Sequence, residues 1–67
     1  HPSIAERIEK LLNGVDNKSG LLVKVKHIIC YYIRIWAFAT DSKDCPDFVE
    51  GNLDKSFNEM FEYAKHH

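Results

Sequence analysis

The chain has 67 residues, of which 45% are hydrophobic and 28% charged, and its formal net charge is −1. A chain of this length buries only about 60% of the surface that its unfolded form exposes, so its stability margin is small. The composition is too apolar for a disordered chain, and the bases within its apolar middle exclude a transmembrane span. We therefore expect a single folded helical domain over residues 1–67, with no role in a membrane.

The first predicted element is a helix over residues 3–14. Ser3 and Glu6 have the spacing of a capping box, and Asn13 with Gly14 forms a typical helix stop. Apolar residues recur at helical spacing at Ile4, Ile8, Leu11, Leu12 and Val15. The sequence predicts a short helix with one apolar face.

The second predicted element is a long helix over residues 20–40. The many β-branched and aromatic residues of this segment favour a strand on propensity. However, its apolar residues recur at steps of three and four over about 20 residues without a turn residue, which favours a helix. The stripe predicted to face the core contains Val25, Ile29, Tyr32 and Trp36.

The third predicted helix ends near residue 65, and its start depends on Gly51. Pro46 suits the first turn of a helix, so Gly51 either ends a short turn or lies inside one longer helix that begins at residue 46. In the first case the helix begins at residue 52, with Asn52 as its cap. Its predicted core stripe contains Leu53, Phe57, Met60, Phe61 and Ala64.

Three helices joined by short loops predict an all-α fold. The natural arrangement is a small up-down-up three-helix bundle, in which helices 1 and 3 each pack one stripe against a long central helix 2. Two short neighbours are too small to enclose a 20-residue helix about 30 Å long. We therefore expect part of the apolar surface of helix 2 to be left over.

A second seam lies on helix 2 opposite its predicted core stripe. His27, Tyr31, Arg34 and Phe38 follow one another at helical steps, with Lys24 beside them. Either the aromatic residues of this seam pack beneath the connection at residues 41–51, or the seam binds a partner. Tyr, Phe and Arg are enriched at interface hot spots. We therefore predict a protein–protein interaction module that self-associates as a homodimer or docks another protein.

Nucleic acid is the alternative partner for the same surface. Residues 17–40 contain no acid, and the bases among them that suit contacts with phosphate, with Tyr31 as an aromatic platform, are Lys24, Lys26, His27 and Arg34. Residues 41–64 contain seven acids, and the isoelectric point is near 6.4, whereas nucleic-acid-binding domains usually have a clear basic excess. The alternative is therefore the less favoured of the two.

Reaction chemistry is not indicated by any motif. The two cysteines lack the paired spacing of a zinc site, and three scattered glycines form no phosphate-binding loop. We predict no enzymatic activity, no catalytic residue, no metal and no cofactor. Cys30 lies in the apolar segment and is expected to be a small buried residue. With only two cysteines, we expect free thiols and an intracellular, most simply cytoplasmic, setting.

Overall fold

The computed structural model describes residues 4–15 and 20–66 and folds them into three helices without strands. These are α1 (Ile4–Asn13), α2 (Leu21–Ala39) and α3 (Leu53–Lys65). The predicted all-α, three-helix bundle with a long second helix is confirmed. The predicted cap at Ser3 lies outside the described residues.

The C-terminal end of α2 is closed by a Schellman motif. Asp41 adopts a positive φ of 56°, the backbone N–H of Ser42 donates to the carbonyl of Ala37 at 2.9 Å, and that of Asp41 donates to Phe38 at 3.1 Å. This pair of hydrogen bonds satisfies carbonyls that the last helical turn leaves free. The Thr40 side chain adds a third bond, from Oγ1 to the carbonyl of Trp36 at 3.0 Å. The chain therefore leaves α2 in one fixed direction.

Gly51 lies outside the third helix. Its φ of 78° is in the left-handed region that glycine adopts without strain, and residues 44–49 have no helical structure. Asn52 then caps α3, because its side-chain oxygen accepts a hydrogen bond from the backbone N–H of Lys55 at 3.2 Å. The buried hydroxyl of Ser56 accepts a hydrogen bond from the backbone N–H of Val49 at 2.8 Å and so fastens the connection to α3.

The hydrophobic core contains side chains from all three helices. Its buried members are Ala5, Ile8, Ile29, Cys30, Ile33, Ala37, Phe57, Met60, Tyr63 and Ala64. The predicted stripe of α3 is confirmed, with Leu53 and Phe61 partly buried at its edges. Two expectations are wrong: Leu11 and Tyr32 were assigned to the core, and both are at least half exposed.

The core face of α2 is centred on Ile33, which explains the error at Tyr32. Ile29, Ile33 and Ala37 follow one another at steps of four, and Cys30 lies beside them. Tyr32 is turned by about 100° from Ile33, because each residue advances the helix by that angle. The predicted stripe was therefore rotated toward Tyr32 relative to the true core face.

The packing of the helices also differs from the expected arrangement. The main interface joins α2 to α3, and α1 packs more extensively on α3 than on α2. The narrowest dimension of the fold, 16 Å, corresponds to two helix layers about 10 Å apart. Since α1 covers little of α2, one side of α2 is covered by the rest of the chain and the other faces outward.

Candidate protein interface

The outward side of α2 carries a regular row of six side chains, five of which are apolar. We call this row the outer stripe; its members are Leu21, Lys24, Ile28, Tyr31, Ile35 and Phe38. The steps between them alternate between three and four residues, which is the 3.5-residue repeat of helices that pack along one another. Every apolar member is more than half exposed.

The outer stripe lies opposite the core. At 100° per residue, the mean direction of its six side chains is roughly 180° from Ile33. Ile33 is fully buried, whereas Ile35, two residues later, is 51% exposed. A helix that is apolar on two opposite sides is normally covered on both. Among residues 4–15 and 20–66, the contacts cover only one of the two sides.

The predicted partner-binding residues are all exposed along this side of α2. Lys24, Tyr31 and Phe38 belong to the outer stripe, while His27 and Arg34 flank it on one side. Tyr31 is 68% exposed and Phe38 is 87% exposed. The alternative, in which these two aromatic residues pack beneath the connection at residues 41–51, is therefore wrong.

The connection instead contacts the flank of the stripe. The Phe48 ring lies 5.9 Å from the His27 ring, at an interplanar angle of 37°. Together with Cys30, Tyr31 and Arg34 these rings line a small depression of about 170 Å³. The connection therefore forms one wall beside the outer stripe without covering it.

The opposite flank of the stripe faces α1. An apolar cleft of about 220 Å³ separates the two helices, and α2 lines it with Ile28, Ile29 and Tyr32. The α1 side of the cleft is lined by Ile4, Ile8 and Leu11 and by one charged residue, Arg7. Ile28 belongs both to this cleft and to the outer stripe, so the exposed apolar surface continues from α2 onto α1.

The charges around the stripe are basic. No acid occurs within α2, and Lys24, His27 and Arg34 are all exposed near its outer side. Lys26 points the other way: its ammonium group lies 3.1 Å from the Asp54 carboxylate of α3 and 5.4 Å from the centre of the Phe57 ring. One of the four bases expected to contact phosphate is thus engaged within the fold.

Both cysteines are free thiols. Cys30 is buried, as predicted, and this burial raises the pKa of its thiol above the ordinary value of 9.0. Burial also raises the pKa of Cys45; the positive charge of Arg34 lowers it and the negative charge of Asp47 raises it further. Neither thiol therefore has the lowered pKa of a reactive cysteine.

A metal site and a membrane-spanning helix are two further features that the described residues could form. Within residues 4–15 and 20–66, no group of three or more His, Cys, Asp or Glu side chains is placed to hold a metal ion. None of the three described helices combines the length and the apolar character that crossing a bilayer requires. The outer stripe is thus the main candidate site.

Sequence reasoning missed three members of this stripe, Leu21, Ile28 and Ile35. Their exposure depends on how α1 packs, and α1 leaves α2 largely uncovered. A signal was nevertheless present, because residues 21, 28 and 35 repeat every seven residues and residues 24, 31 and 38 do the same.

Comparison of the sequence with protein-family models, curated proteins and solved structures gives no match.

Proposed function

We propose that this chain is a protein–protein interaction module that self-associates as a homodimer through the outer stripe of α2. The observation that carries the proposal is the row of five apolar side chains, each more than half exposed, on the side of α2 opposite the core. Contiguous apolar surface of this kind is typical of interaction sites.

A second copy of the chain is the occupant that the surface favours. Twofold dimers are the commonest oligomers, and they need a single self-complementary patch. The outer stripe has the 3.5-residue repeat of helices that pack along one another, so it can pack against the equivalent stripe of a second copy. Because the monomer fold already forms α2, little conformational entropy is lost on binding.

The residues proposed to contact the second copy have different tasks. Tyr31 and Phe38 are the anchors, because aromatic side chains bury the largest apolar area. Lys24, His27 and Arg34 lie at or beside the stripe, where they keep their charged or polar ends in solvent. The proposal assigns binding rather than catalysis to the chain, and its free thiols suit an intracellular, reducing compartment such as the cytoplasm.

Sedimentation equilibrium of the purified chain tests the proposal. Between roughly 1 µM and 1 mM, we expect the average mass to rise from that of one chain toward that of two. A double variant, Tyr31→Ala with Phe38→Ala, is expected to remain monomeric. Its thermal stability at low concentration should be unchanged, because substitutions of exposed residues usually alter stability by less than about 0.5 kcal/mol.

Val23→Ala is the matched control. Val23 also lies on α2 and is 53% exposed, but it is outside the outer stripe. This variant should dimerise like the unmodified chain. A chain that stays monomeric at about 1 mM, or a dimer that the double variant leaves intact, would refute self-association through this surface.

A further inference from the structure

The spacing within the outer stripe also defines how two copies of α2 fit together. The aliphatic members, Leu21, Ile28 and Ile35, occupy one set of heptad positions. The other set consists of Lys24, Tyr31 and Phe38. The large aromatic rings and the single charge are therefore all in the same set. The two sets face each other in an antiparallel pair of helices, whereas each set faces itself in a parallel pair.

A parallel second copy would place each residue opposite its own equivalent. The two Lys24 ammonium groups would meet at the apolar contact, where like charges are costly. The two Tyr31 rings would share one layer and the two Phe38 rings another, while Ile28 and Ile35 would leave the layers between them thin. The parallel arrangement therefore packs unevenly and brings like charges together.

An antiparallel second copy pairs the two sets with each other. Centred between residues 29 and 30, it places Leu21 opposite Phe38, Ile28 opposite Tyr31, and Lys24 opposite Ile35 of the second chain. Each layer then contains a large and a smaller side chain, which is the alternation that close packing favours. The two Lys24 residues are separated by 11 residues of helix, about 16 Å.

The overlap is complete in this register. The stripe begins at the first residue of α2 and ends one residue before its last, so no apolar member extends beyond the second helix. We infer that two copies of the chain associate as an antiparallel, twofold pair of α2 helices, in which Lys24 of each copy lies opposite Ile35 of the other. This inference rests on the proposed self-association and specifies its geometry.

Two charge variants at one position test this geometry. Ile35→Glu and Ile35→Lys remove the same apolar side chain and introduce charges of opposite sign. In the antiparallel pair, Ile35→Glu forms two ion pairs with Lys24, whereas Ile35→Lys creates two repulsions. We expect the dimer of Ile35→Glu to have a dissociation constant about tenfold lower than that of Ile35→Lys.

A parallel pair predicts a different result for the same variants. Residue 35 would face its own equivalent, so both variants would repel equally and their dissociation constants would agree. Equal weakening therefore overturns the antiparallel inference while leaving self-association intact. If the unmodified chain does not dimerise at all, the proposed function fails instead, and sedimentation of that chain distinguishes the two failures.

Disulfide cross-linking provides a second measurement that does not depend on affinity. In a Cys45→Ser background, the buried Cys30 stays out of reach, since it is 1% exposed. Lys24→Cys combined with Ile35→Cys has no bonding partner within one chain, because about 16 Å of helix separates the two positions and a disulfide joins Cα atoms about 4.4–6.8 Å apart. We expect oxidation to give a covalent dimer.

Lys24→Cys alone is the matched control for cross-linking. In the antiparallel pair its two copies are too far apart to react, so oxidation should leave this variant largely uncoupled. A covalent dimer from Lys24→Cys alone would overturn the inference and identify the parallel arrangement, in which the combined variant would cross-link as well.

Discussion

The same substitution, made at two different isoleucines of α2, distinguishes the core from the proposed interface. Ile33 is fully buried between α2 and its neighbours, whereas Ile35 is 51% exposed on the outer stripe. Ile33→Ala and Ile35→Ala remove the same three carbon atoms from the same helix. Any difference between the two variants therefore reports on surroundings and not on chemistry.

For Ile33→Ala we expect a loss of about 2–5 kcal/mol in the free energy of unfolding, which combines lost burial with a residual cavity. A chain of this length has a total stability of roughly 3–10 kcal/mol. The variant should therefore lose about half of the chain's stability. For Ile35→Ala, the lost partial burial is offset by the better helix propensity of alanine, so the isolated chain should change by less than about 1 kcal/mol.

For association of two copies, the order is reversed: Ile35→Ala is the variant expected to weaken the dimer. Ile35 has half of its side chain left to bury, worth about 1 kcal/mol, and a twofold interface contains it twice. Ile35→Ala should then raise the dissociation constant about 30-fold. Urea unfolding at low concentration and sedimentation at high concentration measure the two effects. A large stability loss in Ile35→Ala with unchanged association would refute the assignment of this face as an interface.

Three further outcomes are expected. Asp41→Gly should increase the free energy of unfolding by about 0.5–1 kcal/mol in urea melts, because φ is positive at this position; a decrease would show that the aspartate side chain stabilises the turn. Because the pKa of Cys30 is raised, the folded chain holds the thiol proton more tightly than the unfolded chain does, so stability should fall as the pH rises above about 9.0; this part of the decline should be missing in Cys30→Ala. Raising the NaCl concentration from about 50 to 500 mM should leave the dimer unweakened, since the contact is apolar and its flanking charges are basic; a loss of more than tenfold would indicate an electrostatic contact instead.

The helices were largely predictable because their signals are local. Asn13 with Gly14 stops α1, and Asn52 caps α3, as the sequence indicated. The choice between strand and helix for residues 20–40 also depended on spacing along the chain, and α2 confirms it. Only the role of Gly51 required the structure, since the neighbouring residues were compatible with a helix that begins before Gly51 and with one that begins after it.

The candidate site was less predictable, because exposure depends on tertiary packing. An aliphatic residue such as Ile28 or Ile35 has the same local signal in a core and on a surface. Its position was decided by α1, which lies more against α3 than against α2. Tyr32 was misplaced because the core face of α2 is centred on Ile33. By contrast, Tyr31 and Phe38 were correctly expected to be uncovered, because two short neighbours leave one side of a long helix bare.

The contact between Leu21 and Phe38 of a second copy tests the central claim most directly. Within one chain these residues are 17 positions apart on α2, or about 25 Å, far beyond the reach of a nuclear Overhauser effect. In a sample that mixes isotope-labelled and unlabelled chains, an isotope-filtered experiment detects contacts between chains only. We predict a cross-peak between the Leu21 methyl groups and the Phe38 ring. A spectrum of the concentrated chain without any cross-peak between chains from the outer stripe would contradict the account.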